Sequence, residues 1–189
     1  MKSQIVALSC LALLLAPGAG MSAQPPKLSG AFRLVAEQSD DINRAIEGAV
    51  ARMSFVMRPF ARSRLRTINT SYPRLVIEST ADAIVVVADP RAPVRTPANG
   101  APIRWRREDG ETFNVSGQWE GSVFQQTFVS GTGHRVNRYM VSPDGQTLTV
   151  QVEITGGGLK GPMTYHLVYE RMVDDSATAV TAIASGRTR

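Results

Sequence analysis

Thr147-Leu148-Thr149-Val150-Gln151-Val152-Glu153-Ile154-Thr155 alternates apolar and polar residues without a break. A period of two sends Leu148, Val150, Val152 and Ile154 to one face of a strand. Thr149, Gln151 and Glu153 go to the other. Met163, Tyr165, Leu167 and Tyr169 repeat the pattern opposite Thr164, His166 and Glu170. Strands with one buried and one wet face belong to antiparallel sheets.

Working outward, turn chemistry separates similar segments. Asp109-Gly110 joins Ile103–Arg107 to Thr112–Ser116. Trp119-Glu120-Gly121 precedes Val123–Val129, and Ser130-Gly131-Thr132-Gly133 precedes Arg135–Val141. Ser142-Pro143-Asp144-Gly145 leads into Thr147–Thr155. Proline presets one turn dihedral and glycine accepts the positive one. Upstream, Leu75–Glu78 and Ala83–Ala88 are strand-like. Pro90, Pro93, Pro97 and Pro102 confine a segment at Val94–Thr96 to a sheet edge. Turns about every ten to thirteen residues predict an antiparallel up-and-down meander. The expected fold is mainly β within the α+β class, with about seven or eight strands closing into a barrel or strongly curled sheet.

One amphipathic helix is expected before the sheet. Ser39-Asp40-Asp41 supplies capping and first-turn acidic side chains. Ile42, Ile46, Ala49, Val50, Met53, Met57 and Phe60 recur at three- and four-residue spacing along one face. Pro59 either kinks this helix or ends it so that a second short turn begins. Asn69 to Pro73 terminates the region.

Residues 1–23 carry the pattern of an export signal. Lys2 is followed by the apolar run Ile5–Leu15, the break Pro17-Gly18, and small residues up to Ala23. The run falls short of the roughly 20 apolar residues that span a bilayer. A soluble periplasmic or secreted domain is therefore expected, with residues 24–38 as a mobile lead-in, 39–172 as a single domain and 173–189 as a disordered tail. Cleavage removes Cys10, the single cysteine, and with it disulfides, thiol chemistry and cysteine metal ligation. Lipoprotein anchoring through Cys10 would leave too little apolar core before it.

The chain holds 21 basic and 16 acidic residues, a net charge of +5, and the basic ones are nearly all arginine. Arg58, Arg62 and Arg66 stack at four-residue spacing and, with Arg64, form a positive patch expected at a helix C-terminus. A solvated face complementing the helix dipole explains such a cluster without a ligand. The alternative is an anion or headgroup site, because guanidinium forks hold phosphate and carboxylate. Arg104-Trp105-Arg106-Arg107 places a tryptophan and arginines on opposite strand faces, and no nucleic-acid-binding signature accompanies it.

Gly156-Gly157-Gly158-Leu159-Lys160-Gly161 has G-x-G-x-x-G spacing but joins two strands, which makes it a hairpin connection rather than a dinucleotide site. His134 and His166 stand outside any metal-ligand spacing, and no G-x-S-x-G elbow occurs. No cofactor, metal or catalytic residue is expected. Cross-strand carboxylates for hydrolysis remain an alternative that nothing specific favours. The aromatics Trp105, Phe113, Trp119, Phe124, Phe128, Tyr139 and Tyr165 cluster in the meander. On an inward barrel face they either fill the core or line a ligand cavity.

The turn rhythm and the Gly117-Gln118-Trp119 motif, a G-x-W, resemble lipocalin-like and calycin-like β-barrels. The Ser142–Leu148 hairpin and the closing Tyr165-x-x-x-Tyr169-Glu170-Arg171 strand are also similar to small bacterial envelope proteins. The similarity spans roughly residues 74–172 and departs in two ways: G-x-W falls mid-meander, and the helix precedes the sheet. It implies an exported barrel holding an apolar or amphiphilic small molecule. The alternative is a solid-core envelope protein that meets an anionic surface or a protein partner through its arginine-rich helix end.

Overall fold

The structure, a computed structural model, describes residues 28–172. The segment expected to be an export signal, the first part of the expected lead-in and the expected disordered tail lie outside the described residues. Ten strands form a single sheet rather than seven or eight: β1 (Gly30–Leu34), β2 (Arg74–Ser79), β3 (Ala83–Ala88), β4 (Val94–Pro97), β5 (Ile103–Arg106), β6 (Thr112–Glu120), β7 (Val123–Val129), β8 (Gly133–Val141), β9 (Thr147–Gly156) and β10 (Met163–Arg171). Their order is β4-β3-β2-β1-β10-β9-β8-β7-β6-β5, and all neighbours are antiparallel.

The strand absent from the sequence expectation is β1, which falls inside the segment read as a mobile lead-in. It pairs with β2 on one side and β10 on the other, so residues 30–34 sit at the middle of the sheet. Its three consecutive apolar or small positions, Gly30, Ala31 and Phe32, are too short a run to show periodicity. Its interior anchor is the fully buried Phe32, over whose ring the Arg171 guanidinium lies at 4.5 Å.

The sheet curls until its edge strands approach each other. β4 and β5 do not hydrogen-bond, so the barrel is nearly closed rather than sealed. Gly117 on β6 makes the approach possible. A Cβ there would lie 2.8 Å from the Thr96 methyl of β4 and 2.7 Å from the Phe124 ring. The glycine of the G-x-W motif is thus a packing requirement.

Two helices, not one, connect β1 to β2: α1 (Ile42–Val50) and α2 (Arg58–Ile68). Asp41 caps α1, accepting from the Asn43 and Arg44 backbone N–H groups at 2.8 and 3.3 Å. Ser39 and Asp40, the other two residues of the expected capping segment, bind β10. Ser39 Oγ accepts from the Val168 N–H, and Asp40 Oδ2 accepts from the His166 N–H. The predicted apolar stripe breaks between Met53 and Met57. Ile46, Ala49, Val50 and Met53 are buried, but Met57 and Phe60 are 50% and 69% exposed. The seven residues between the helices, 51–57, reset the helical phase, so positions in register along a continuous helix no longer share a face. Pro59 sits in the first turn of α2, where its missing N–H removes no helical bond.

The core under α1 is dominated by Phe32, Ile46, Phe124, Leu148, Tyr165 and Tyr169. A smaller cluster of Val94, Val115 and Phe128, with Trp105 and Phe113 against it, lies toward the β4–β5 opening. The β9–β10 connection is the expected hairpin. Gly156, Gly157 and Gly158 have φ of 85°, 60° and 84°, the left-handed region that glycine enters without steric cost.

Candidate functional site

Strand β8 turns polar side chains inward. Arg135, Asn137 and Tyr139 alternate along its interior face, opposite Ile154, Val152 and Val150 of β9 and Phe128, Gln126 and Phe124 of β7. Between the large core and the smaller aromatic cluster they build a continuous hydrogen-bonded chain.

It begins at Asn69, the buried C-cap of α2, whose amide donates to the Leu65 carbonyl at 2.9 Å. Asn69 Oδ1 accepts from Tyr165 Oη at 3.1 Å and from Arg135 Nη1 at 3.0 Å. Arg135 Nε donates to Asn137 Oδ1 at 2.8 Å, and its Nη2 reaches Tyr165 Oη at 3.4 Å. Asn137 donates to Tyr139 Oη, Tyr139 donates to Gln126 Oε1, and Gln126 donates to Thr96 Oγ1 at 2.7 Å. The chain therefore runs from the helical end, across β10, β8 and β7, to the edge strand β4. Burial pushes the Tyr139 phenol above its ordinary range, which keeps it a neutral donor at physiological pH.

Two chambers flank Arg135. One, of about 100 Å³, lies beneath α2. It is lined by Ala61, Arg64, Leu65 and Ile68 of the helix, by Glu111 and Phe113, by the β7–β8 turn and His134, and by Ile154 and the Gly156-Gly157 turn. The other, of about 110 Å³, lies inside the barrel toward the β4–β5 opening. Its walls are Tyr72, Val86, Ala88, Arg91, Val94, Trp105, Gln126, Phe128, Asn137 and Tyr139. Ile68, Arg107, Phe113 and Arg135 line both. For scale, an engineered apolar cavity of about 150 Å³ takes up benzene.

The arginines in these walls differ in how they are balanced. Arg107 binds Asp109 at 2.5 Å and Glu111 at 2.7 Å, and stacks over Phe113 at 5.1 Å. Arg91 lies over the Tyr72 ring at 5.2 Å. Arg64 reaches Glu111 at 3.5 Å. Arg135 is half-buried, and its three hydrogen-bond partners, Asn69, Asn137 and Tyr165, are all neutral.

Of the aromatics read from the sequence, Trp105, Phe113, Phe128 and Tyr139 line the inner chamber. Trp105, Phe113 and Phe128 form a mutual cluster with centroids 5.9–6.3 Å apart. Tyr165 lines neither chamber; its hydroxyl donates to Asn69 and accepts from Arg135. Phe124 is core, and Trp119 packs on it at 5.4 Å while remaining 37% exposed.

The arginines of the expected anion patch take different partners. Arg58 opens α2 rather than closing a helix, and its guanidinium donates to the Ala51 and Met53 carbonyls in the connection after α1. Arg62 and Arg66 both bind Glu47. Only Arg64 lines a chamber. Arg135, Asn69 and Arg91 carried no signal as single residues. The available clue was the inverted strand Arg135-Val136-Asn137-Arg138-Tyr139, whose polar members occupy the interior register.

No protein-family model matches this chain, and no curated protein does. Among solved structures it is similar to a REP1-NXSQ fatty acid transporter, at 15% identity and a TM-score of 0.50, over 77% of this chain and 96% of that one. It is similar to fatty-acid-binding protein 1 of Echinococcus granulosus, at 14% identity and a TM-score of 0.50, over 77% and 97%. A secretary abundant heat soluble (SAHS) protein from Ramazzottius varieornatus matches at 10% identity and a TM-score of 0.54, over 76% and 94%. At such identities the likeness concerns the backbone, and it agrees with the nearly closed ten-stranded antiparallel sheet. The chain has the fold of the calycin barrels, in the form shared by fatty-acid-binding proteins.

Proposed function

We propose that this barrel binds a compact amphiphilic carboxylate, with the charged group on Arg135 and the apolar body in the inner chamber. The observation that carries the proposal is the half-buried Arg135 guanidinium, which faces both chambers and has only neutral partners. A guanidinium withdrawn from water gains most from a carboxylate, which it meets with two parallel charge-assisted bonds. Trp105, Phe113 and Phe128 then offer aromatic walls within reach of that charge. The chambers are small beside the ~300–1,000 Å³ of pockets that hold drug-sized ligands. Short aliphatic or single-ring carboxylates fit that volume better than long acyl chains. Two of the structural neighbours have names that refer to fatty acids, which agrees in chemical class.

The site is read as a binding site and not a catalytic one. Export to the periplasm or beyond belongs to the same proposal. It rests on the residue 1–23 pattern, and N-terminal sequencing of the mature protein from the producing cell tests it. Isothermal titration with octanoate, 1-octanol and palmitate tests the ligand class. Octanoate is expected to bind. Octanol should bind about tenfold or more weakly, consistent with charge-assisted bonds worth about 1.5–3 kcal/mol. Arg135→Met should reduce octanoate affinity to the octanol level. Equal affinity for octanoate and octanol in the native protein would refute the role of Arg135.

A further inference from the structure

Four large apolar side chains crowd the junction of α1 and α2 and face solvent. Phe55 is 83% exposed, Val56 72%, Met57 50% and Phe60 69%. The other exposed large apolar residues among those described, Trp119 and Val129, are separate from them in sequence. A contiguous apolar tip of this kind on a soluble domain marks a contact surface. The tip is held in place. The Arg58 guanidinium donates to the Met53 carbonyl at 3.1 Å and the Ala51 carbonyl at 2.9 Å, tying the start of α2 to the connection that carries Phe55 and Val56.

The surroundings specify the partner. Between Ile42 and Ile68 the sequence places six arginines against a single acidic residue, Glu47. Glu47 is shared by Arg62 and Arg66, so it balances one charge of two. A second copy of this chain docked tip to tip would bring two such positive surpluses together. An anionic bilayer presents phosphates to the arginines and acyl chains to the phenylalanines, the combination by which amphipathic segments lie in a membrane interface. We propose that the α1–α2 tip docks this domain on anionic lipid bilayers, with Phe55, Val56 and Phe60 entering the interface and the neighbouring arginines meeting headgroup phosphates. Ala61, Arg64 and Leu65, on the turns of α2 that follow Phe60, line the outer chamber. Docking therefore sets that chamber beside the membrane surface.

Flotation of the purified protein with phosphatidylcholine vesicles, and with vesicles that also contain phosphatidylglycerol, tests the proposal. The protein is expected to float with the phosphatidylglycerol vesicles at low salt, to be released at high salt, and to stay behind with phosphatidylcholine alone. Phe55→Ser with Phe60→Ser changes only exposed positions, which leaves folding intact. The double variant should lose flotation by about tenfold or more, in line with removal of two large apolar contacts. A Phe55→Trp variant should show a blue-shifted emission on the anionic vesicles and quenching by brominated acyl chains. Absence of flotation, equal flotation with both vesicle types, or an unshifted Phe55→Trp spectrum would overturn the proposal. So would dimerisation without lipid that the double serine variant abolishes, since the tip would then serve self-association.

Discussion

Gly117 and Asp40 show how single positions shape this barrel. Gly117 lies where β6 passes under Thr96 of the edge strand, and any Cβ would overlap the Thr96 methyl and the Phe124 ring. Neither neighbour is the loose end of a flexible side chain. Gly117→Ala should therefore destabilise the fold by about 1–3 kcal/mol through overpacking, read as a lower midpoint in urea. An unchanged midpoint would mean that β4 retreats freely. Asp40 accepts the His166 N–H at 2.7 Å and contacts its imidazole. The backbone N–H first, and the imidazole after it, hold the Asp40 carboxyl below its ordinary range despite some opposing desolvation. A carboxyl depressed in the folded state contributes stability above its unfolded pKa of about 3.9, and loses it as the pH falls through the folded value. The pair is solvent-screened, which keeps the contribution to at most about 1 kcal/mol. Asp40→Asn should therefore be less stable than the native protein at neutral pH and nearly equal to it near pH 2; chemical denaturation at the two pH values measures this. At this scale the sequence was least informative. Glu47 binding Arg62 and Arg66 depends on two helices meeting, and Arg135 binding Asn69 joins positions 66 residues apart.

Among the elements, β4 is held by side chains as much as by the sheet. It pairs with β3 on one edge, and on the other the Gln126–Thr96 bond ties it to β7 across the barrel interior. Gln126→Leu should leave Tyr139 Oη without its acceptor and Thr96 without its donor, at a cost of about 1–3 kcal/mol. Amide exchange in residues 94–97 should accelerate more than in β8 or β9. Uniform acceleration would show that the bond supports the whole fold rather than the edge. The helices separate on similar grounds. Asp41→Ala removes the cap that serves two N–H groups of α1 and should cost about 1 kcal/mol by thermal denaturation.

Long strands were legible because each reveals its own period. Leu148 to Ile154 and Met163 to Tyr169 occupy the interior as their alternation requires. The break between α1 and α2 was not, because Met57 and Phe60 fit a helical stripe arithmetically while the chain turns at Ser54–Met57. β8 was legible as a strand but not in its orientation, since a polar interior face violates the rule that places apolar residues inside. That violation coincides with the candidate site, and the proposed binding role would account for it.

For the whole molecule, the division of the interior matters most. Large side chains under α1 fill one side of the barrel. Elsewhere two chambers, one beneath α2 and one toward the β4–β5 opening, share Arg135 in their walls. The sheet and its general class followed from turn spacing, but this asymmetry depends on which strands face each other across the barrel, information that exists only after closure. β1 illustrates the same point. Five residues without a clear pattern become central because β2 and β10 both need a neighbour.

The polar chain from Asn69 to Thr96 holds Arg135 among neutral partners, and the proposed anion seat depends on that arrangement. The most direct measurement is carbon NMR of carboxyl-labelled octanoate mixed with the native protein across a pH series. A carboxylate on Arg135 should give a separate bound resonance that stays at the ionised position well below the free acid's pKa, and Arg135→Met should abolish it. A bound resonance that titrates like the free acid, or no bound resonance at all, would contradict an anion seat inside this barrel.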